Sequence, residues 1–168
     1  MIIYSNLTEL NQELLHQLFD YKNGELYWKV CPMPSVKIGD MAGALREEGY
    51  KTVCIMSKMY LSHRLIFLYH HGYFPNVIDH IDGNKYNHRI ENLREASLSQ
   101  NQWNSKKPKT NKSGYKGVCW HPASQKWLAY AKCNGKRHYL GVHANIEDAV
   151  SARQSFVKKH HGAFLNHG

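Results

Sequence analysis

Residues 77–84 read Val-Ile-Asp-His-Ile-Asp-Gly-Asn, and this stretch decides how the middle of the chain folds. Its β-branched start predicts a strand, and the Asp-Gly-Asn sequence at 82–84 predicts a turn directly after it. The strand therefore carries Asp79 and His80 to the edge of a turn. A second turn-rich stretch ends in Arg-Ile-Glu-Asn-Leu-Arg at residues 89–94. The pattern predicts a hairpin that presents an acidic and an imidazole side chain.

A capped helix is predicted to follow this hairpin. Ser97 stands three residues before Gln100, which is the spacing of a capping box, so a helix is expected to begin just after Ser97. Asn101 lies one turn into that helix, and Asn104 lies on the same helix face. The hairpin-then-helix unit can bring Asn101 to the acidic and imidazole side chains of the hairpin. For Asn104 a helix-surface position and a phosphate contact both stay open.

The side chains that converge in this unit suit the hydrolysis of a phosphodiester bond. A carboxylate oxygen of Asp79 and an amide oxygen of Asn101 are hard ligands, which fit hydrated Mg²⁺ or Mn²⁺ rather than zinc. Such an ion would neutralise charge in the transition state. His80 has an imidazole with an ordinary pKa of ~6.5, so it can take a proton from an attacking water near neutral pH.

The spacing of these residues resembles the His-Asn-His motif of HNH endonucleases. His80 and Asn92 are 12 residues apart, and Asn92 and Asn101 are 9 apart. An Asn at the third position is typical of the branch found in phage and intron-encoded homing endonucleases. The resemblance implies a ββα-metal nuclease in which His80 is the general base, Asp79 and Asn101 bind Mg²⁺, and Asn92 braces the loop. Because the proposed donors are hard oxygens, we also expect Mn²⁺ to substitute for Mg²⁺.

Each of these residues has an ordinary explanation when it is taken alone. A single histidine such as His80 is more often a surface or core residue, and Asn92 alone would be a turn residue. The nuclease hypothesis therefore depends on their occurrence together. For His63 and Arg64, which precede the motif, a role on a helix face that supports the fold and a DNA contact both stay open.

Two local patterns before the motif predict where elements begin and end. The Asn23-Gly24 pair predicts a tight turn. Ser62 is expected to cap a short helix at residues 63–71, and Gly72 is expected to end it.

The positive charge of the chain is concentrated in its C-terminal part. The 168 residues carry 22 basic and 13 acidic side chains, a net charge of +9. Residues 1–102 hold 10 basic and 11 acidic side chains, a net of −1, whereas residues 103–168 hold 12 and 2, a net of +10. A surplus of this size favours an anionic partner, with nucleic acid ahead of membrane lipid or acidic protein.

Residues 105–114 contain four lysines, one proline and no apolar side chain, which predicts a linker rather than core. Two roles of this segment stay open: it is either a solvated tether between domains or an extended strand that lies along DNA phosphates. The linker lysines that we expect to contact DNA are Lys106, Lys107, Lys109 and Lys112.

The remaining residues predict three strands, at 116–121, 126–133 and 136–142, followed by a helix. Along the second strand, alternation places Trp127 and two alanines on a face that can pack on the helix. The opposite face is aromatic and basic, which suits a groove of DNA.

This C-terminal part resembles an AP2 DNA-binding domain. The landmarks are Ser-Gly-Tyr-Lys-Gly-Val at 113–118, Lys-Trp at 126–127, Tyr-Leu-Gly at 139–141 and Glu-Asp-Ala at 147–149, which match in order and spacing. The resemblance implies a three-stranded sheet that enters the major groove. The residues that it places toward DNA are Lys116, His121, Tyr130, Lys132, Arg137 and Tyr139.

Several classes of protein do not fit the sequence. The first residues show no secretory signal, and the longest apolar run, at 65–69, is far shorter than the ~20 residues of a membrane span. The four cysteines contain no C-x-x-C pair, so we expect no structural zinc and four reduced thiols on small buried residues. A cytoplasmic protein without a membrane partner is therefore expected, and the resemblance to phage homing endonucleases implies a phage-infected bacterial cell.

Together these observations predict an α+β protein of two domains that binds double-stranded DNA. The expected organisation is an HNH nuclease domain at residues 1–104, a basic linker at 105–114 and an AP2-like domain at 115–168. The expected activity is that of a site-recognising, homing-type endonuclease that nicks one strand as a monomer, with a dimer as the alternative for a double-strand break. The rival hypotheses are a catalytically inactive DNA-binding regulator and a structural nucleic-acid protein.

Overall fold

The computed structural model describes residues 9–47, 49–105, 110–133 and 135–161. It divides into two compact units, Met1–Glu95 and Ala96–Gly168, and each is described by itself. The nuclease domain was predicted to extend to residue 104, so the helix that follows Ser97 was counted with that domain but belongs to the second compact unit. Three of the lysines predicted to contact DNA, Lys106, Lys107 and Lys109, lie outside the described residues.

The first unit combines two helices with short antiparallel strands. Hairpin β1–β2, the sheet β3-β4-β5 and hairpin β6–β7 are its β elements. In chain order the elements are α1 (Gln12–Leu18), β1 (Phe19–Lys22), β2 (Glu25–Trp28), β3 (Ala44–Leu45), β4 (Lys51–Ile55), β5 (Lys58–Leu61), α2 (Ser62–His71), β6 (Ile78–His80), a 3₁₀ turn (Ile90–Asn92) and β7 (Leu93–Glu95).

Local turn chemistry explains the hairpins of this unit. Asn23 and Gly24, with φ of 51° and 89°, join β1 to β2, so the turn predicted from the Asn-Gly pair is confirmed. Met56 and Ser57 also have positive φ, 50° and 60°, and join β4 to β5. Two consecutive residues in the left-handed region match the right-handed twist of the flanking strands.

Helix α2 is the central element of the unit. Gly72, with a φ of 79°, ends the helix in the left-handed conformation, as the sequence predicts. Ser62 was expected to cap the helix, but this prediction was wrong: Ser62 is its first residue and is fully buried, and the capping position is Leu61. The apolar face of α2 packs against α1 and also contacts β2, β4 and β5.

A single apolar core holds the first unit together. The buried side chains of α1 and α2 meet those of the three sheets there, and Ile78 of β6 and Leu93 of β7 belong to the same cluster. Burying a side chain of this size contributes about 1.5–3 kcal/mol. Hairpin β6–β7 is therefore anchored to the core by one apolar residue from each strand.

The second unit contains α3 (Leu98–Asn104), β8 (Val118–His121), β9 (Lys126–Cys133), β10 (Lys136–His143) and α4 (Ile146–His161). The capping box between Ser97 and Gln100 is present, so the predicted start of α3 is confirmed. The strands form an antiparallel sheet in the order β10-β9-β8. Its small core contains Val118, Ala129 and Ala149, which join β8 and β9 to α4.

The fold is thus mixed α and β with small antiparallel sheets, as expected. The cysteines differ from expectation, because Cys31, Cys54 and Cys119 are exposed and only Cys133 is buried. Across the part of the chain that the structure describes, none of the helices is both long and apolar enough to cross a membrane.

Gly43, with a φ of +90°, sits where a Cβ atom would lie 2.6 Å from the carbonyl oxygen of Thr52. We predict that Gly43→Ala lowers the free energy of unfolding by about 2–4 kcal/mol, through left-handed strain and this clash with β4. Gly39 is the matched control, because it has a φ of +88° and nothing within 4 Å of the added Cβ. Gly39→Ala should cost only the strain, about 1 kcal/mol. Urea unfolding compares the two variants, and equal losses would contradict the packing at Gly43.

Candidate functional site

Hairpin β6–β7 holds an acidic side chain in a fixed position. Asp79 lies opposite Arg94 in the antiparallel register. The Nε and Nη2 atoms of Arg94 both donate to Oδ2 of Asp79, at 2.8 and 2.7 Å. The carboxylate is only 3% exposed, so a charge that would be costly to bury alone is compensated by the guanidinium. Asp79 is therefore a buried carboxylate that its partner strand orients.

His80 is the next residue of β6, so its side chain points to the other face of the hairpin. It is half-buried, and its ring lies 5.2 Å from the ring of His63 at the start of α2. Burial lowers the pKa of His80, and the nearby His88 lowers it further, although the carboxylates of Asp82 and Asp79 act in the opposite direction. The imidazole is consequently neutral at pH 7 and can accept a proton.

The loop of residues 81–92 is closed by the side chain of Asn92. Its Nδ2 donates to Oδ1 of Asp82 at 3.0 Å and to the carbonyl oxygen of Asn87 at 2.8 Å. Its Oδ1 accepts from the backbone N–H of Asp82 at 3.0 Å. The family resemblance predicts that Asn92 braces this loop. These three bonds tie Asn92, at the end of the loop, to Asp82 near its start and to Asn87 in its middle.

The side chain of Asp82 accepts further hydrogen bonds within the loop. Its carboxylate accepts from the side chain of Asn87 at 2.7 Å and from the backbone N–H of Asn84 at 2.7 Å. Burial raises the pKa of Asp82, but the hydrogen bonds from Asn87, Asn84 and Asn92 outweigh it, so the pKa lies below its usual value. The carboxylate is therefore ionised at neutral pH and acts as the acceptor around which the turn forms.

Three histidines meet beside this loop. His63 of α2, His80 of β6 and His88 of the loop each offer a ring nitrogen, and these nitrogens lie within 4.8 Å of one another. Burial lowers the pKa of all three, that of His63 to about 3. For His63, the neighbouring imidazoles of His80 and His88 add to the effect of burial in reaching this value. The cluster is a set of neutral nitrogen donors that could hold a metal ion.

Sequence reasoning missed this cluster. For His63 it left a supporting role and a DNA contact open, and it assigned no role to His88. The structure buries His63 to 7% exposure. Its neighbour Arg64 donates to the carbonyl oxygen of Pro75 at 2.9 Å and lies over the Phe74 ring, which favours a supporting role.

The remaining predicted nuclease residues belong to the second unit. Asn101 is exposed on α3, whereas Asn104 is only 3% exposed. Lys116 donates through Nζ to the carbonyl oxygens of Trp103 and Ser105, which caps the end of α3. Burial lowers the pKa of Lys116 to about 8. The structure thus gives Lys116 a contact within its own unit in addition to the DNA contact that was predicted.

The predicted DNA-contacting residues of the sheet share one face. Directly opposed residues of an antiparallel pair lie on the same side, and so do residues two apart along a strand. The cross-strand pairs on this face are His121 with Lys126, Tyr139 with Tyr130, and Arg137 with Lys132. The guanidinium of Arg137 lies 4.5 Å from the centre of the Tyr130 ring. We call this set the basic face; helix α4 packs against alternate residues of β9 such as Ala129.

Comparison with known proteins supports the nuclease interpretation. Residues 60–103 match the HNH endonuclease family, so this part of the chain is similar to an HNH endonuclease domain. The matched stretch runs from β5 to α3 and includes Asp79, His80, Asn92 and Asn101.

The chain is also similar to Protein 3.8 of Escherichia phage T7, with 45% identity over 67 residues. The similar stretch covers 40% of this chain and 53% of the phage protein, so the chain spans about half the length of that curated relative. A phage relative supports the phage origin that the motif predicts. No solved structure matches the chain.

The closure of the loop by Asn92 can be tested by its removal. Asn92→Ala deletes three hydrogen bonds of a side chain that is 9% exposed. We predict that the free energy of unfolding falls by about 2–4 kcal/mol. Asn76→Ala, at an exposed asparagine before β6, should change it by less than about 0.5 kcal/mol. Chemical denaturation measures both, and an equally small effect of Asn92→Ala would contradict the bracing role.

Proposed function

We propose that the protein is a site-recognising, homing-type DNA endonuclease that hydrolyses phosphodiester bonds with one divalent metal ion and a histidine general base. The observation that carries this proposal is the HNH endonuclease match at residues 60–103. It falls on the hairpin that carries Asp79 and His80 as consecutive residues of β6 and on the loop that Asn92 closes. The similarity to HNH nucleases suggests DNA endonuclease activity and a DNA substrate.

In this proposal His80 takes the proton from the attacking water. Its half-buried imidazole is neutral at pH 7, because burial and His88 hold its pKa below the ordinary value. A neutral imidazole is the form that a general base needs. Asn92 keeps the adjacent loop closed, so the position of His80 at the end of β6 is maintained during the reaction.

HNH nucleases are generally dependent on a divalent metal, and we propose its two protein ligands from the family motif. Asp79 supplies a carboxylate and Asn101 an amide oxygen, the hard donors that Mg²⁺ prefers, and Mn²⁺ would substitute. When bound, the ion would stabilise negative charge that develops on the phosphate. Asn101 is proposed as a ligand from its place in the family motif. Arg94 is the positioning residue, because it holds Oδ2 of Asp79.

The second unit would supply most of the affinity for DNA. Its three strands and helix α4 follow the order expected of an AP2-like domain, and its basic face carries aromatic and cationic side chains. Such a surface suits the phosphates and base edges of a DNA groove. The four linker lysines, Lys112 among them, would add phosphate contacts.

A chain with one proposed catalytic histidine would nick one strand as a monomer. A double-strand break would require a dimer or two sequential events. The proposed setting is the cytoplasm of a phage-infected bacterial cell, in keeping with the phage relative.

A second candidate function is a DNA-binding regulator with an inactive nuclease fold. The observation that favours it is the ion pair between Asp79 and Arg94, which is buried and gives the carboxylate a structural partner. In that case the basic face would bind DNA, and His80 would serve only in packing.

Cleavage of supercoiled plasmid and phage DNA distinguishes the two candidates. We predict Mg²⁺-dependent conversion of supercoiled plasmid to the open circle, which is abolished by chelation. His80→Ala should lower the rate by roughly 10²–10⁴-fold, the usual contribution of a general base. His71→Ala, at an exposed histidine of α2, is the control that should retain the rate. No nicking by the wild type, or equal nicking by His80→Ala, would favour the regulator.

The role of the basic face is tested by the salt dependence of DNA binding. Lys132→Gln with Arg137→Gln removes two charges from that face, and each lost phosphate contact should reduce the slope of log K against log salt by about 0.9. Lys158→Gln with Lys159→Gln removes the same charge from exposed positions of α4. Fluorescence anisotropy with a labelled duplex measures both slopes. Equal slopes for the two double variants would count against the face as the DNA contact.

A further inference from the structure

The three histidines beside the loop come from three separate elements of the first unit. His63 lies in the first turn of α2, His80 ends β6, and His88 lies just before the 3₁₀ turn. Their ring nitrogens are within 4.8 Å of one another. The His63 ring lies 5.2 Å from that of His80 and 5.8 Å from that of His88. Three separate elements of the fold therefore bring three imidazoles to one place.

Two of the three rings present a nitrogen that the fold leaves unused. The Nδ1 atoms of His63 and His88 are buried, and neither has a hydrogen-bond partner among the described residues. A buried polar atom without a partner costs free energy, and a bound ion would compensate this cost. Both atoms are therefore the natural donors to an ion at the centre of the cluster.

His88 also has the outer contact that is typical of a metal ligand. Its Nε2 donates to the carbonyl oxygen of Lys85 at 2.9 Å. In the neutral ring this bond places the proton on Nε2 and leaves a lone pair on Nδ1. Metal-binding histidines almost always donate their second ring N–H to a carbonyl or carboxylate in this way, which fixes the tautomer and the ring orientation.

The three imidazoles are also in the neutral form that a histidine needs in order to bind a metal ion. Burial lowers the pKa of His63 to about 3 and also lowers that of His80 and His88, so all three rings are neutral at pH 7. The carboxylates of Asp82 and Asp79 lie close enough to His80 to raise its pKa against the effect of burial. Their negative charge would therefore also favour a cation next to that ring.

Three imidazoles select a different kind of ion from the one proposed for Asp79. Mg²⁺ prefers oxygen donors, whereas nitrogen donors suit Zn²⁺, Ni²⁺, Co²⁺ and Cu²⁺. In a tetrahedral Zn²⁺ site with bonds of about 2.0–2.1 Å the nitrogens lie about 3.4 Å apart. The nitrogens of the cluster lie within 4.8 Å of one another, and a bound ion would draw them toward that spacing. Three protein ligands leave one position open for water.

We infer that His63, His80 and His88 form a site for a divalent ion of the zinc class, and that an ion bound there takes His80 out of catalysis. Its second part rests on the proposed function. A ring nitrogen that donates its lone pair to an ion cannot accept a proton from water, so occupancy would switch the nuclease off while Mg²⁺ is present. Binding and inhibition are separable, and each has its own measurement.

Binding is measured on the full chain without DNA, after chelator treatment and removal of the chelator. Titration with Co²⁺ should show one equivalent with the intense visible absorption of tetrahedral Co²⁺, and Zn²⁺ should displace it. His63→Gln and His88→Gln should each weaken binding by roughly 100-fold or more, since loss of even an outer partner costs 10–100-fold. His71→Gln, on the same helix as His63 but exposed, is the matched control that should bind as the wild type does.

Circular dichroism and thermal unfolding of each variant identify any change that comes from misfolding alone. His88→Gln is the informative variant if His63→Gln fails to fold, because His88 lies in a loop rather than in α2. Binding of Co²⁺ that is equal in the wild type and His88→Gln, or that lacks the tetrahedral spectrum, would overturn the site. Neither readout requires nuclease activity.

Inhibition is measured as nicking with Mg²⁺ present and one equivalent of Zn²⁺ added, relative to the same variant without Zn²⁺. The wild type should slow by roughly 100-fold at saturation, the loss expected when a general base is removed. His88→Gln should keep its own zinc-free rate at that concentration, and His71→Gln should be inhibited like the wild type. Zinc binding without inhibition would overturn the proposed switch. Absence of any nicking would refute the proposed function. In that case the Co²⁺ spectrum would still show whether the three histidines bind a metal ion.

Discussion

The side-chain amide of Asn92 donates to Asp82 and to the carbonyl oxygen of Asn87, and it accepts from the backbone N–H of Asp82. These bonds hold together the two ends of the loop that joins β6 to β7. A loop of this length would otherwise be free to open, because fixing each residue costs about 1–2 kcal/mol of backbone entropy. The site depends on this closure, since the loop carries His88 and begins directly after His80.

The two neighbouring residues of β6 have different environments because a strand alternates its side chains. Asp79 faces Arg94 across the ladder and is held there as a buried ion pair. His80 points to the other side, where α2 brings His63 close to it. One peptide unit therefore separates a charged, oriented carboxylate from a neutral, partly desolvated imidazole. In the proposed function this difference would let the carboxylate hold a cation while the imidazole accepts a proton.

The sequence predicted those parts of the molecule that depend on local chemistry. The Asn23-Gly24 turn and the capping box of Ser97 could be predicted because each involves backbone groups only a few residues apart. Ser62 was misassigned because burial by the core, a long-range effect, decided its place in α2.

The histidine cluster could not be predicted for a related reason. No helical or strand period joins residues 63, 80 and 88, and only the packing of α2 on hairpin β6–β7 brings them together. The boundary between the units was equally hidden, because α3 follows the hairpin directly in sequence, yet it contacts Lys116 of the C-terminal unit.

The distribution of charge has a physical consequence for the candidate site. Arg64 already lowers the pKa of His63, and Lys51 lowers that of His88, so each further cation in the first unit would act on the same rings. It would also weaken the attraction of the local carboxylates for a metal ion. The net charge of −1 over residues 1–102 avoids both effects, while the +10 of residues 103–168 can favour DNA. If the chain binds a cation and a polyanion as proposed, it benefits from keeping its excess lysines and arginines in a separate unit. There the register of β9 with β8 and β10 places several of them on one face.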